Sequence, residues 1–236
     1  MSVPNALQGV SPHVRELLSR LHAESLEQEA ALAKDDMSNG PATGRLMRDK
    51  FIALDENKAH YVYQLARATG ATTIVEAGTS FGVSTIYLAL AAAANAAINS
   101  SGSRGSRARV IGTEHEPTKA ARAREHWRQC GDTVADVIEL REGDLRETLR
   151  TDLDKADMLL LDIWTPMALP TLKIVQPKLR YGAVVITDNT ISSAAKYKEY
   201  LDYIRATDSG FSNMTVPFKG GLEISVYLPA GGGDAT

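Results

Sequence analysis

A single cysteine, Cys130, stands among 236 residues, so an internal disulfide framework or a cysteine-rich zinc site cannot be built. Charge of one sign is not in excess either: 26 Lys and Arg face 29 Asp and Glu, a formal net charge of −3. Without a basic surplus there is no bulk attraction to nucleic acid or to an anionic membrane, and neither is expected as a partner. The longest apolar run, Leu88 to Ile98, is alanine-rich, broken by Asn95, and too short to span a bilayer. The opening Met1-Ser2-Val3-Pro4-Asn5 lacks a basic start followed by an apolar stretch. No signal peptide is expected, and the chain reads as cytoplasmic. What is present is ample core material, 44% hydrophobic against 23% charged residues, the balance of one large globular domain.

Two helical signals come first. Leucines at roughly helical spacing mark Val14 to Leu32, and a second helix is expected from Lys50 to Ala68, stopping at Gly70. The polar stretch from Asp35 to Gly44 between them reads as a loop. From residue 72 the pattern changes to short apolar runs alternating with amphipathic stretches. Strands are expected at Thr72–Ala77, Arg109–Thr113, Asp136–Arg141, Asp157–Leu161 and Ala183–Thr187. Helices are expected between and after them, at Val83–Ala97, Pro117–Gln129, Leu145–Asp152, Pro166–Leu179 and Ala194–Thr207. Two last strands, Phe211–Val216 and Leu222–Leu228, lie close enough to pair as an antiparallel hairpin.

The fold class that follows is α/β: a Rossmann-like, doubly wound, seven-stranded sheet, mostly parallel, with an antiparallel terminal hairpin and helices on both faces. Residues 1–70 form N-terminal helices and a lid segment, 71–229 the main domain, and 230–236 a frayed tail. The serine- and glycine-rich stretch Asn99 to Arg107 reads as a solvated loop.

In open α/β sheets ligands bind beyond the carboxyl ends of the strands. After the first strand comes Glu76-Ala77-Gly78-Thr79-Ser80-Phe81-Gly82, whose glycines permit a sharp turn and close backbone approach. A dinucleotide fingerprint would need two further glycines where Ser80 and Val83 stand, so a pyrophosphate cofactor is disfavoured. After the second strand, Glu114 can accept hydrogen bonds from both hydroxyls of a ribose, or cap the helix at Pro117, a task Glu116 suits better. After the third, Glu142-Gly143-Asp144 offers a turn with a carboxylate fit for adenine contacts or for an N-cap. After the fourth and fifth come Asp162-Ile163-Trp164 and Asp188-Asn189-Thr190. Two carboxylates and an amide oxygen at adjacent strand ends suit Mg²⁺, although each Asp alone could merely cap a helix.

These motifs carry a resemblance. From about Thr72 to Tyr227 the chain resembles class I S-adenosylmethionine-dependent methyltransferases, more narrowly the catechol and caffeoyl-CoA O-methyltransferase family. The motifs are Val75 to Gly82, Ile111-Gly112-Thr113-Glu114, Leu160 to Trp164, Ile186 to Thr190 and Gly221-Leu222-Glu223. The resemblance implies that Glu76, Gly78, Thr79, Ser80 and Ser84 surround the methionine end of the cofactor. By the same likeness Glu114 and His115 serve the ribose, and Gly143, Asp144, Leu145, Ile163 and Trp164 border the adenine. It further implies that Asp162, Asp188 and Asn189 hold Mg²⁺ or another divalent cation, and that Glu223 contacts the second hydroxyl of a catechol. Asp162 would thus serve both metal and cofactor. The segment around Met37 and Asn39 resembles the family's lid.

One departure stands out. The family carries a lysine three positions after its first metal aspartate as general base, and here that position is Thr165, whose hydroxyl is far too weak for the task. The expected activity is therefore methyl transfer from S-adenosylmethionine to a hydroxyl of a small, aromatic acceptor, with Mg assisting. The alternatives are a metal-independent O- or N-methyltransferase of the same fold, or a cofactor-binding protein without turnover. The leading helices carry more leucine than one small helix needs for anchoring, and together with the resemblance this points to a homodimer. Met214, Phe218, Trp164, Met167 and Tyr197 could line an acceptor pocket.

Overall fold

The computed structural model describes residues 5–35, 51–99 and 107–230. The expected lid around Met37 and Asn39, residues 100–106 of the solvated loop and the tail from 231 lie outside the described residues. In chain order the elements begin with α1 (Pro12–Asp35), α2 (Glu56–Ala68), β1 (Thr73–Ala77), α3 (Val83–Asn99) and β2 (Arg109–Glu114). There follow α4 (Pro117–Cys130), a short α5 (Asp132–Ala135), β3 (Ile138–Glu142), a short α6 (Leu145–Thr148), β4 (Ala156–Leu161) and α7 (Thr165–Val175). The chain closes with β5 (Leu179–Asp188), α8 (Lys198–Ile204), β6 (Phe211–Val216) and β7 (Leu222–Tyr227).

The seven strands form one sheet in the order β3-β2-β1-β4-β5-β7-β6. The first five are parallel, while β7 runs antiparallel to both β5 and β6. Every residue of β4 is buried, because helices cover both faces, and the unbroken Met158-Leu159-Leu160-Leu161 run is what such a strand requires. Alternate side chains feed two cores. Ile74, Met158, Leu160 and Ile186 meet α1, α2 and α3 on one face. Val75, Leu159, Leu161 and Val185 meet α7 and α8 on the other. Among the described residues no helix is long and apolar enough to cross a membrane.

Two helices start later than their composition suggests. The expected Lys50 start of α2 moves to Glu56, because the preceding backbone bonds elsewhere. Phe51 N–H donates to Gln28 Oε1 (3.1 Å) and Ala53 N–H to Ser25 Oγ (2.9 Å), both on α1. Side-chain acceptors here outcompete a helical turn. The expected Ala194 start of α8 moves to Lys198, because the chain leaving β5 first turns back toward the β6–β7 hairpin. Ile191 and Ser192 both donate their N–H to Gly220 O, at 2.8 and 3.0 Å. Leu17, Leu18 and Leu21 of α1 are consumed by the chain's own core, leaving Leu26 exposed.

Candidate functional site

The turn after β1 and Asp162, just past the end of β4, border a cleft walled by Phe51, Ile52 and Leu54 ahead of α2. The turn is tightly held. Thr79 N–H donates to Thr113 O (2.9 Å), Gly82 N–H to Thr79 O (2.8 Å), and Asp162 N–H to Ala77 O (3.1 Å). Gly78 has φ +94°, and a Cβ there would lie 2.1 Å from the Asp162 carbonyl oxygen. Only glycine allows this turn to lie against the end of β4.

Glu76 sits beneath the turn and has no exposed surface. Its Oε1 accepts from Ser84 Oγ (2.6 Å), and its Oε2 from Thr79 Oγ1 (2.9 Å) and Thr85 Oγ1 (2.5 Å). Burial raises its pKa against the pull of those three hydroxyls. This carboxylate knits β1 to its turn and to the start of α3, rather than facing the cleft. Glu114, at the end of β2, reaches across the same turn. Ser80 N–H donates to its Oε2 (2.7 Å), and His115 and Glu116 N–H groups to its Oε1 (2.8 Å each). It does not cap the helix at Pro117, where Glu116 occupies the N-cap position without a side-chain capping bond. Three amides fix the carboxylate: the two on Oε1 fill its lone-pair positions, while Oε2, with one, keeps acceptor capacity for a ligand hydroxyl.

Along the next loop, Gly143 N–H donates to Glu114 O (2.9 Å), which holds the β3 turn beside this carboxylate. Asp144 caps α6, accepting from Arg146 N–H (2.9 Å), and its carboxylate also meets the Arg146 guanidinium at 2.6 Å. That side-chain pairing holds its carboxyl down at about 2. Leu145 and Ile163 are half-buried, whereas Trp164, at the N-cap of α7, is 62% exposed. A large aromatic standing in water at the lip of a cleft is a surface awaiting a flat partner.

Leu161 of β4 and Thr187 of β5 are paired in register, so Asp162 and Asp188 emerge side by side. Burial, followed by the charges of Asp188 and Glu76, pushes the Asp162 carboxyl up to about 7. Burial also raises Asp188, against a bound ammonium. That ammonium is Lys58 of α2, 1% exposed, whose Nζ lies 2.7 Å from Asp188 Oδ1 and 3.1 Å from Asp55 Oδ2. Burial opposes the charge on Lys58, but the hydrogen bond and attraction to Asp188, reinforced by Asp55, outweigh it and raise its pKa.

The expected magnesium ligands can be tested against this geometry. Asp188 Oδ1 is bound to an ammonium, and its Oδ2 accepts from Asn189 Nδ2 (3.0 Å). The Asn189 Oδ1 is turned away, toward Gly220 and Ser192. Its residue is held by φ +61° and by the N–H bond to Gly221 O (2.9 Å). Each Asp188 oxygen already accepts one donor and the Asn189 Oδ1 points away from it, so the three groups do not converge on one point, whereas a hard dication requires several converging oxygens. As arranged, Asp162, Asp188 and Asn189 do not fit a divalent ion, and among the described residues no other cluster of His, Cys, Asp or Glu could hold one.

Glu223, expected at the acceptor, is 1% exposed and faces the α8 side. Arg205 grips both of its oxygens (2.7 and 2.8 Å) and Thr215 Oγ1 donates to one of them (2.5 Å). That pairing clamps β7 to β6 and to the end of α8, with no oxygen turned to the cleft. Of the expected pocket residues, Tyr197 is buried with its hydroxyl on Ile163 O (3.4 Å), and both Asp162 and Asp188 act on it electrostatically. Met214 stands exposed on the outer strand β6. The residue that sequence reasoning missed is Lys58. Its signal was a lysine within the buried stripe Lys58, Ala59, Val62, Tyr63, Ala66 of α2.

Comparisons with known proteins agree with this geometry. Residues 75–190 match the family of methyltransferase domains. The catechol O-methyltransferase of Mycobacterium tuberculosis is 29% identical over 163 residues, 69% of this chain and 64% of that protein. Among solved structures, the O-methyltransferase TomG from Streptomyces achromogenes, in complex with SAM, superposes with a TM-score of 0.66 at 20% identity over 90% of each chain. The O-methyltransferase from Bacillus cereus in complex with SAH gives 0.65 at 19% identity, over 94% of this chain and 93% of that one. Residues 75–190 thus resemble a methyltransferase domain, and the sheet order with its antiparallel terminal hairpin is the fold shared with these solved O-methyltransferases.

Proposed function

We propose that the protein transfers a methyl group from S-adenosylmethionine to a hydroxyl of a small, aromatic acceptor. The observation that carries this reading is Glu114, fixed by three backbone amides over the glycine turn with Oε2 left to accept from a ribose hydroxyl. S-adenosylmethionine supplies a methyl already activated on a sulfonium sulfur. The protein then has to bind, align and dry the reactants, since orientation alone provides much of the acceleration in a direct displacement. Glu114 fixes the ribose, the Gly78 turn admits the chain beside it, and Trp164 covers the adenine. As the acceptor C–O bond forms, the C–S bond breaks and its electron pair stays on sulfur, giving a neutral thioether. The hydroxyl proton leaves by a hydrogen bond to Asp162, the uncommitted carboxylate of the cleft. Magnesium assistance is not part of this reading, because the donor set is otherwise engaged.

The M. tuberculosis relative named for catechol gives the first acceptors to try. Methyl-labelled S-adenosylmethionine would be incubated with the protein and a panel of catechols, single-hydroxyl phenols and aromatic amines. Label recovered on oxygen is the expected result. Label on nitrogen alone, or no transfer to any acceptor although the cofactor binds, would overturn the reading.

A further inference from the structure

The sequence leaves a gap at Thr165, where a cationic lysine is missing from the edge of the acid pair. The structure brings another lysine, Lys58, to Asp188. Lys58 arrives from α2, in sequence 130 residues from the aspartate it meets, and its side chain is almost wholly removed from solvent. Its Nζ donates to Asp188 Oδ1 at 2.7 Å and contacts Asp55 Oδ2 at 3.1 Å. An ammonium is a compact point charge, and in a site sealed from water it satisfies carboxylates as a small cation would. The other Asp188 oxygen accepts from the Asn189 amide, and among the described residues none donates to the Asp162 carboxylate.

We infer that Lys58 is the resident cation of the Asp162–Asp188 pair, standing where a divalent ion would otherwise be bound. The inference rests on the strand-end cleft being the methyl-transfer site. Lys58 is a positioning residue: it acts through Asp188, fixing that carboxylate and the Asn189 amide beside it, and leaves Asp162 alone to meet the acceptor. One consequence concerns substrate class. A chelated dication rewards two adjacent oxygens on the acceptor, whereas a buried ammonium that never leaves Asp188 does not. Acceptors with a single hydroxyl therefore suffice.

The test is calorimetric titration of Mg²⁺ and then Mn²⁺ into the full chain, alone and with S-adenosylhomocysteine bound. The native protein is expected to give no saturable metal heat. Lys58→Met keeps the apolar stem and removes the charge, and it should bind either ion at least about tenfold more tightly than the native chain, as a freed pair of carboxylates does. Adding Asp188→Asn to that variant should abolish the gain. Saturable binding by the native protein that is lost in Asp162→Asn overturns the inference, and this arm needs no Lys58 variant to fold. A folded Lys58→Met chain that takes up no ion overturns it as well. The heat of S-adenosylhomocysteine binding in the same samples reports the cofactor site separately, so failure of the proposed function is distinguishable from failure of the lysine assignment.

Discussion

Strand β4 carries an aspartate at each end, and the two are treated in opposite ways. Asp157, at the amino edge of the sheet, accepts from the N–H groups of Thr72 and Thr73 (2.9 Å each) and from Arg180 Nε (2.7 Å). Burial would raise its pKa, but those amides and the guanidinium prevail and lower it. Asp162, beyond the carboxyl edge, receives no such donors among the described residues; burial and its acidic neighbours raise it to about 7. The same residue type, five positions apart, is fully satisfied where the sheet is only scaffold and left wanting where the cleft opens. Unmet polar capacity, rather than acidity itself, distinguishes the working edge.

That contrast can be broken at either end. The largest effect is expected for Gly78→Ala, whose Cβ would strike the Asp162 carbonyl at 2.1 Å in a left-handed conformation. Destabilisation of about 3 kcal/mol in chemical denaturation and loss of S-adenosylhomocysteine binding should follow. Asp157→Asn should cost about 2 kcal/mol while cofactor affinity in calorimetry stays within error. Its sign with pH is fixed by the lowered pKa of Asp157. The stabilisation is complete above the ordinary carboxyl value of about 4 and lost as pH falls through the lower folded value. Acid unfolding curves of native protein and variant should therefore converge at the acid end, once pH has fallen past the lowered folded value of Asp157. The smallest effect belongs to Trp164→Ala. This side chain is 62% exposed, so the melting temperature should hold while affinity for S-adenosylhomocysteine drops about tenfold.

Much of this molecule was legible in its sequence. β4 and the second half of β5 announce themselves by the apolar runs Met158–Leu161 and Ala183–Ile186, although β5 begins at Leu179, earlier than expected, and the hairpin by two short strands around Gly220 and Gly221. Residues just past each strand were natural places to look, which brought Glu114, Asp162 and Asp188 forward. The starts of α2 and α8 were misjudged because Ser25, Gln28 and Gly220, distant in sequence, offer acceptors that draw the backbone away from helix. The partners of the charged residues were also hidden. Arg205 and Glu223 stand 18 apart, and Lys58 and Asp188 130 apart, and only the folded sheet brings each pair together. Without those partners Glu223 reads as an acceptor contact and Asp188 as a metal ligand.

The most direct test of the working edge is the affinity of S-adenosylhomocysteine for the native protein and for Glu114→Ala, measured by calorimetry with circular dichroism as a control for folding. Native binding at micromolar strength, weakened at least about tenfold in a folded Glu114→Ala chain, is the expected result, since a hydrogen bond to a charged group is lost. Equal affinity in the two proteins, or no binding by the native one, would contradict the assignment of this cleft to the cofactor.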